Sequence, residues 1–452
     1  MNRRSFLQLS ASALAGCARV PRTVAGPAPA RPVPSAAQLA WQRDEFALFL
    51  HFGVNTFTDR EWGEGWERPA LFAPSSLDAR QWTRTAKAAG ARAAILTAKH
   101  HDGFCLWPTS TTKHSVASSE WRGGAGDVVR EFTDACRTDG LKAGLYLSPW
   151  DRNSPAYGDS PRYNNLYSDQ LTELLTRYGP ISEVWFDGAN GEGPNGKTQF
   201  YDWPRFFGIV RQFQPDAVIF SDAGPDVRWC GNEKGIAGDP NWSTMDPASV
   251  RFPGDEGVWI TDALQHGHRD GTVWRPAEVD VSIRPGWFYH AKEDSSVRSA
   301  DNLFDLYFSS VGRNGKLLLN VPPTTAGLLH PIDVSVLTDF RARLTGAFAN
   351  DLAANGARHE FSSGGAWGVE VELARPATIS TARFEEDITR GQSVAAYVLH
   401  GAAETDWQVL SRGSTIGYTK LDRFPPTTVR RVRLTVQDAA TPPIPVAIRL
   451  YG

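Results

Sequence analysis

The amino-acid sequence predicts an α/β fold: a (β/α)8-like barrel followed by a C-terminal β-sandwich of the jelly-roll type. From about residue 41, apolar strand-like segments alternate with helix-like segments over about 300 residues. Strands that are apolar throughout indicate a parallel sheet buried on both faces, and this length favours a closed barrel over an open sheet. After about residue 351, short alternating segments separated by turn residues replace this rhythm, which is typical of a sandwich.

The predicted barrel elements follow one another in order. Five strand-like segments come first, and each ends in polar residues: 47–53, 93–101, 141–148, 182–187 and 217–222. Apolar residues at helical spacing predict the helices between them, at residues 77–89, 127–139, 165–178 and 204–214. Residues 224–300 are irregular, and the pattern resumes with a helix at 298–312, a strand at 316–321 and a closing helix at 332–349. No Gly-x-Gly-x-x-Gly follows the first strand, which argues against a dinucleotide-binding fold.

The N-terminal segment is interpreted as an export signal rather than as part of the fold. Arg3-Arg4-Ser5-Phe6-Leu7 is a twin-arginine signature, and a short apolar run follows it. The run ends in Leu14-Ala15-Gly16-Cys17, which predicts a lipid anchor on Cys17; cleavage without lipid is the alternative. We therefore expect three regions: export signal and linker at residues 1–34, a catalytic barrel at 35–350 and an accessory β-sandwich at 351–452.

Composition limits the class of partner. The 452-residue chain has a net charge of −3, which does not suggest nucleic acid or an anionic membrane as a partner. It contains 16 tryptophans, and a large aromatic core accounts for most of them. Several others stand beside polar residues at strand ends, a pattern that suits sugar binding, because a pyranose stacks its apolar faces on indole rings while its hydroxyls need polar partners.

Cysteine usage does not indicate a disulfide framework. Besides Cys17, the chain has Cys105, Cys136 and Cys230, and three residues cannot all pair with one another. No Cys-x-x-Cys spacing occurs. We interpret these cysteines as structural, including Cys230, which lies near the expected site.

Polar side chains at the ends of the predicted strands are the candidates for chemistry, because barrel enzymes place their active sites at that face. They are His51, His100, His101, Tyr146, Asp187 and Asp222. A role as a turn former is a strong alternative for Asp222. It is a weak one for the His-His pair, because histidine is not a preferred turn residue.

Glycosidic bond hydrolysis needs one carboxylate as nucleophile and one carboxylic acid that protonates the leaving oxygen. Asp187 follows Trp185 and Phe186 at a strand end, which predicts a partly desolvated nucleophile; a buried Asp paired with an arginine is the alternative. Glu233 follows Trp229 in the next loop, and an apolar neighbour of this kind would raise its pKa. The alternative for Glu233 is a solvated loop carboxylate beside Lys234.

Two other classes of protein compete with the glycosidase hypothesis. His51, His100 and His101 could hold a metal in an exported hydrolase. Against this, strand one lacks a His-x-His pair, and adjacent histidines on a strand point to opposite faces unless the strand ends there. We predict no metal site. The other class is a non-catalytic carbohydrate-binding lipoprotein.

Taken together, several segments resemble the α-L-fucosidases of glycoside hydrolase family 29. The matching segments include His51-Phe-Gly-Val-Asn-Thr-Phe, Glu61-Trp62-Gly, Lys99-His-His-Asp-Gly-Phe-Cys-Leu-Trp107, Gly144-Leu-Tyr146-Leu-Ser-Pro-Trp150, Glu183-Val-Trp-Phe-Asp187-Gly-Ala, Trp229-Cys-Gly-Asn-Glu233, Asp280-Val-Ser-Ile-Arg284-Pro-Gly-Trp287-Phe and Gly312-Arg-Asn-Gly-Lys-Leu-Leu-Leu-Asn320. The resemblance extends over about residues 40–345 in family order, and the trailing β-domain also resembles that of the family.

The resemblance implies a role for each matching residue. Asp187 corresponds to the nucleophile. The fucose pocket would comprise His51, Glu61, Trp62, His100, His101, Tyr146, Trp185 and Trp287. The Trp-x-Gly-Asn-Glu motif is similar to the subgroup that acts on α-1,3 and α-1,4 fucosyl branches, in which the residue matching Glu233 is the acid/base. In that subgroup, Glu278 and Asp280 would recognise the neighbouring galactose, with surface carboxylates as the alternative.

The expected function is that of a retaining exo-α-L-fucosidase that removes α-1,3/4-linked fucose from oligosaccharides or glycoconjugates. A broad-specificity enzyme of the same family is the alternative. No cofactor is expected. The export signal predicts a periplasmic protein, membrane-anchored if Cys17 is lipidated, and the sequence leaves the oligomeric state open.

Overall fold

Eight parallel strands close into a barrel, in agreement with the predicted fold class. They are β1 (Phe46–Leu50), β2 (Ala93–Lys99), β3 (Lys142–Leu147), β4 (Glu183–Trp185), β5 (Val218–Ser221), β6 (Val227–Trp229), β7 (Ala277–Ser282) and β8 (Gly315–Asn320). Around the barrel, β8 closes the sheet by pairing with both β1 and β7. The computed structural model describes residues 31–363, 366–441 and 445–452. The twin-arginine motif and Cys17 lie outside the described residues.

Nine α-helices accompany the strands in the described ranges. They are α1 (Ala36–Gln42), α2 (Val54–Thr58), α3 (Ala79–Ala89), α4 (Val128–Asp139), α5 (Ser160–Arg177), α6 (Trp203–Phe213), α7 (Val258–His266), α8 (Ala300–Ser309) and α9 (Pro331–Ala347). None of these helices is long and apolar enough to cross a membrane.

Helix α3 illustrates how local sequence defines these elements. Asp78 caps its first turn by accepting hydrogen bonds from the backbone N–H groups of Arg80 and Gln81, at 2.9 and 3.2 Å. Gly90 ends it with a positive φ of 95°, a conformation that glycine adopts without a steric penalty. Between the caps, Trp82 and its helical-spacing neighbours are buried against the barrel.

Two barrel strands lie within residues 224–300, where the sequence predicted irregular structure. β6 follows β5 after only residues 222–226, whereas parallel strands are normally joined by a helical crossover. β7 carries Glu278 and Asp280, so it lacks the apolar run expected of a buried strand. Because of these two features, the sequence pattern predicted neither strand, although β7 is buried along its whole length.

A six-stranded antiparallel sheet follows the barrel. Its strands are β9 (Ala357–Ser363), β10 (Ala366–Glu386), β11 (Val394–Ala402), β12 (Gln408–Gly413), β13 (Lys420–Ala439) and β14 (Val446–Tyr451), in the order β9-β10-β13-β11-β12 with β14 paired to β10. Register shifts interrupt the pairing of the two long strands, β10 and β13, at two places. The sheet buries an apolar core of its own.

The barrel and the β-domain belong to one compact unit, Pro32–Gly452. Polar contacts join them. The backbone N–H of Asn314, just before β8, donates to the carbonyl of Thr419 at 2.9 Å, and its side-chain oxygen accepts from the N–H of Tyr418 at 2.7 Å. Lys420 forms an ion pair with Asp239 at 2.7 Å. The β-domain is therefore fastened to the loops of the barrel by directional bonds.

Candidate active site

A cavity of about 230 Å³ opens where β1, β2, β3 and β4 end. Its volume suits a single sugar ring more than a long oligosaccharide. Side chains that the sequence singled out make up most of its wall. The lining residues are Phe49, His51, Glu61, Trp62, His100, His101, Tyr146, Trp185, Asp187, Ala189, Glu233, Asp280 and Trp287.

Asp187 follows β4 and is held by two donors. The hydroxyl of Tyr146 donates to Oδ2 at 3.0 Å, and the backbone N–H of Ala189 donates to Oδ1 at 2.7 Å. The Nε2 atom of His101 lies 3.9 Å from Oδ2. The side chain is still 28% exposed, so an oriented carboxylate faces the cavity. No arginine pairs with Asp187 in the described part of the chain, which removes the alternative of a buried structural carboxylate.

Glu233 lies in the loop after β6 and faces the same cavity. Burial raises the pKa of its carboxyl, and the charges of Asp187 and Glu61 act in the same direction, against a stabilising hydrogen bond from Trp287. That bond runs from the indole Nε1 of Trp287 to Oε2 at 3.4 Å. Glu233 is an exposed residue with a partner in the cavity wall, and its raised pKa favours the protonated form that a general acid needs.

Three histidines form one wall of the cavity, and burial lowers the pKa of all three, that of His51 to about 3. They therefore act as neutral imidazoles. The amide of Asn320 donates to Ser282 and to the carbonyl of Trp287, so its oxygen accepts from Nδ1 of His51 at 2.8 Å. This arrangement leaves Nε2 of His51 as a hydrogen-bond acceptor.

The same reasoning sets the tautomer of His101. The hydroxyl of Ser148 donates to the carbonyl of Trp150, so Nδ1 of His101 donates to that hydroxyl at 2.7 Å. His100 and His101 both line the cavity because β2 ends at Lys99, just before them. Nδ1 of His100 is buried without a hydrogen-bond partner among the described residues.

The loop after α2 contributes Glu61 and Trp62. The carboxylate of Glu61 accepts from the backbone N–H groups of Trp287 and Phe288 at 2.8 and 3.2 Å. It also contacts Nε2 of His290 at 2.6 Å. Trp62 is 58% exposed at the rim, with its ring edge toward His101. Glu61 thus joins two barrel loops, and Trp62 offers an indole face at the entrance.

Trp185 lies deeper, stacked on Phe220 with 4.0 Å between ring centroids. Its indole Nε1 donates to Glu278 at 2.9 Å. The interpretation of Glu278 as a galactose-binding residue is therefore wrong. This carboxyl is fully buried inside the barrel, 3.6 Å from Lys316 and beside Glu183, where no second sugar can reach it.

Asp280, two residues further along β7, does reach the cavity. It accepts a hydrogen bond from the indole of Trp229 at 2.8 Å, and burial together with the charge of Glu233 raises its pKa. The structure therefore places Asp280 in the wall of the single-sugar cavity, beside the two candidate catalytic carboxyls, and not on an outer surface facing a neighbouring galactose.

Other sequence candidates have simpler surroundings. Asp222 is half-buried next to Gly188, where it accepts from the N–H of Gly254 at 3.0 Å; desolvation raises its pKa to about 6. Cys105, Cys136 and Cys230 are all free and buried. Within the described ranges, no cluster of three or more His, Cys, Asp or Glu side chains is arranged to hold a metal ion.

Several residues of the site escaped sequence reasoning. Asn320 orients His51, Ser148 orients His101, and His290 contacts Glu61. Asn320 and Ser148 end strand segments, so the strand-end rule could have found them. Nothing in the sequence near His290 indicates its partners, because they come from a loop about 230 positions away.

Comparison with known proteins agrees with this geometry. The family model described as alpha-L-fucosidase matches residues 29–345, most of the chain. The chain belongs to the α-L-fucosidase family, glycoside hydrolase family 29. It is thus a glycoside hydrolase whose family acts on fucosylated substrates, as the resemblance of its motifs implied.

Individual members of this α-L-fucosidase family match the β-domain as well as the barrel. Alpha-L-fucosidase 1 of Arabidopsis thaliana is 42% identical over 455 residues, covering 94% of this chain and 88% of the plant protein. A glycoside hydrolase 29 family member from an unknown rumen bacterium is 41% identical, with a TM-score of 0.86 over 94% of this chain and 78% of its own. A Ruminococcus gnavus fucosidase, solved in complex with fucose, is 31% identical, with a TM-score of 0.82 over 94% and 96%.

Proposed function

We propose that this enzyme is a retaining exo-α-L-fucosidase that releases terminal α-1,3/4-linked L-fucose by double displacement. The observation that supports this most directly is one small cavity that holds both an oriented carboxylate, Asp187, and a carboxyl with a raised pKa, Glu233. This pair has the two properties that glycosidic bond hydrolysis requires, and the resemblance of the Asp187 motif to that of the family nucleophile favours retention.

In the first step, an oxygen of Asp187 attacks the anomeric carbon as the bond to the leaving oxygen breaks. Protonated Glu233 donates its proton to that oxygen, so the aglycone leaves as an alcohol. In the second step, Glu233 removes a proton from water, whose oxygen attacks the same carbon and displaces Asp187. Each step inverts the carbon once, so the released fucose keeps its original configuration.

Surrounding groups provide the sugar contacts in this proposal. The acceptor nitrogen of His51 and the imidazole of His100, which lines the cavity, are available for sugar hydroxyls. Tyr146 holds Asp187 through a hydroxyl whose pKa is raised by burial, so it stays a donor at neutral pH. The rings of Trp185 and Trp287 offer apolar faces to the ring and methyl group of fucose.

Retention is tested by NMR of the first product formed. The expected initial product is α-L-fucose, which later equilibrates with the β anomer. Immediate appearance of the β anomer would contradict the mechanism and would reassign Asp187 as a base.

The linkage proposal rests on the Trp229-Cys-Gly-Asn-Glu233 motif, which resembles that of the α-1,3/4 subgroup. Rates should be compared on α-1,2-, α-1,3/4- and α-1,6-fucosylated oligosaccharides under the same conditions. We expect the α-1,3/4 compounds to react fastest. Similar rates on all three would instead identify a broad-specificity enzyme.

Full activity in the presence of a chelator, with no bound metal detected, would separate this mechanism from that of a metallohydrolase.

We also propose export by the twin-arginine route into the periplasm, with a lipid anchor on Cys17. The support is the Arg3-Arg4 signature and the residues before Cys17. Replacing both arginines by lysine should block export. The Cys17→Ser variant should lose membrane association and labelling by a fatty-acid analogue, whereas a Cys105→Ser control should keep both. Unchanged membrane association of the Cys17→Ser variant would exclude the anchor.

A further inference from the structure

We propose that His290 is a positioning residue: as an imidazolium clamped between Asp59 and Glu61, it holds the loop that aims Trp287 at Glu233. This inference rests on the proposed role of Glu233 as general acid. His290 is 4% exposed and lies behind Glu61, outside the set of described residues that line the cavity.

The hydrogen-bond partners of His290 define its charge. Nε2 contacts Oε1 of Glu61 at 2.6 Å, and Nδ1 contacts Oδ1 of Asp59 at short range. Carboxylate oxygens only accept hydrogen bonds, so both ring nitrogens carry hydrogen in this arrangement. Burial by itself would lower the pKa of His290, but the bonds and charges of Asp59 and Glu61 outweigh it and raise that pKa.

The clamp connects two barrel loops. Asp59 and Glu61 belong to the loop after β1, and His290 belongs to the loop after β7. Gly286 permits the close approach, because a Cβ atom there would lie 2.4 Å from Oε1 of Glu61 and 3.0 Å from the ring of His290. Arg60 and Lys292 are the other charged groups that act on Asp59, and both favour its ionised form.

The other carboxylate oxygen of Glu61 links His290 to the proposed general acid through Trp287. Oε2 accepts from the backbone N–H of Trp287 at 2.8 Å, and the indole of that residue donates to Glu233 at 3.4 Å. The chain of contacts therefore runs from the rim carboxylate of Asp59 to the general acid. Loss of the imidazolium would leave Glu61 without its charged partner and Trp287 less firmly placed.

The pH dependence follows from the raised pKa. The clamp is complete below the ordinary histidine pKa of about 6.5 and is lost only as the pH rises through the higher value in the folded protein. NMR titration of the His290 ring should show this directly. In the Asp59→Asn variant the titration should move to lower pH, because one of the two charges that stabilise the imidazolium is gone.

Kinetics separate positioning from simple structural support. The enzymes to compare are wild type, Asp59→Asn, His290→Gln and, as matched control, Asp301→Asn, a surface carboxylate paired with Arg343 on another helix. Substrates are an aryl fucoside with a good leaving group and a Lewis trisaccharide with a poor one. We expect a roughly tenfold loss of kcat/KM on the trisaccharide for His290→Gln, the lower end of the effect seen for residues that orient metal ligands, and a smaller loss on the aryl fucoside. Asp59→Asn should show the same ordering more weakly, and the control should match wild type.

Equal losses on both substrates, or a His290 that titrates at or below its ordinary value in wild type, would overturn the proposal. Glu233→Ala is measured in parallel. If that variant also loses both activities equally, the assignment of Glu233 fails rather than the clamp, and the titration alone then decides whether His290 is an imidazolium. If His290→Gln does not fold, the kinetics of Asp59→Asn decide the matter, because Asp59 is 64% exposed and its replacement leaves the core intact.

Discussion

Two pairs of acidic side chains lie at different depths of the same barrel, and Trp185 stands between them. Asp187 and Glu233 face the open cavity at the strand ends. Glu183 and Glu278 lie inside the barrel, where Lys316 contacts them at 3.0 and 3.6 Å. Trp185 lines the cavity with its ring and donates its indole N–H to Glu278.

The comparison shows how surroundings decide the use of a carboxyl group. The cavity pair keeps solvent access, so Asp187 can reach a sugar carbon and Glu233 can donate or accept a proton during a reaction. The interior pair is sealed, so its charge must be balanced by a permanent cation and by the indole N–H groups of Trp41 and Trp185. We infer that the cavity pair carries out the reaction and that the interior pair stabilises the fold. Four experiments test this inference.

The largest effect is expected at Asp187. Asp187→Ala should lower kcat by at least about 10³-fold on all fucosides, because no other group can form the covalent intermediate. The matched control is Asp216→Ala, an exposed carboxylate in the turn before β5 and so at the end of that strand away from the cavity, which should be indistinguishable from wild type. Activity within tenfold of wild type in the Asp187 variant would refute the nucleophile assignment.

Glu233→Ala should produce the second largest effect, and that effect should depend on the leaving group. A general acid contributes about 10²–10⁴-fold, so loss on a natural glycan should fall in that range while an aryl fucoside with a good leaving group is largely spared. In wild type, activity should decline as the pH rises through the raised pKa of Glu233, because the proton to be donated is lost. That alkaline limb should vanish in the Glu233→Ala variant; its persistence there would assign it to another group.

Lys316→Met tests the interior pair through stability. The change leaves Glu183 buried without its cation, and breaking a buried pair in this way costs about 3–5 kcal/mol of unfolding free energy. The control, Lys142→Met, breaks an ion pair with Asp44 at the protein surface and should cost at most about 1 kcal/mol. Chemical denaturation of both variants measures the difference. Equal costs would mean that solvent reaches the barrel interior.

Glu278→Gln should have the smallest effect. Burial and the neighbouring charge of Glu183 raise the pKa of Glu278 well above its usual range, which favours the neutral form of its carboxyl. A glutamine keeps the shape and the oxygen that accepts from Trp185. We therefore expect kcat/KM to stay within about threefold of wild type and the free energy of unfolding to stay within about 0.7 kcal/mol. Glu278→Ala removes that acceptor, and we expect it to be clearly worse on both measures. A severe defect in the glutamine variant would show that Glu278 is charged.

Much of the barrel followed from local pattern. The strands that end in His-His, in Ser148 and in Asp187 are apolar and alternate with helices α3 to α6, so their type and order could be predicted. The strands β6 and β7 could not be predicted from the local pattern. The first has no crossover helix before it, and the second buries Glu278, a carboxyl that only contacts with distant residues make tolerable. Tertiary contacts overrode the local pattern at both strands.

The candidate site divides in the same way. The sequence by itself determined the family, the strand-end location of Asp187 and the presence of Glu233, because these depend on short motifs. Only the tertiary structure decided that Glu278 belongs to the scaffold, that Asp280 reaches the cavity and that His290 lies between two carboxylates. The physical reason is that the proton state and exposure of a side chain depend on groups from other strands, and these meet only when the barrel closes.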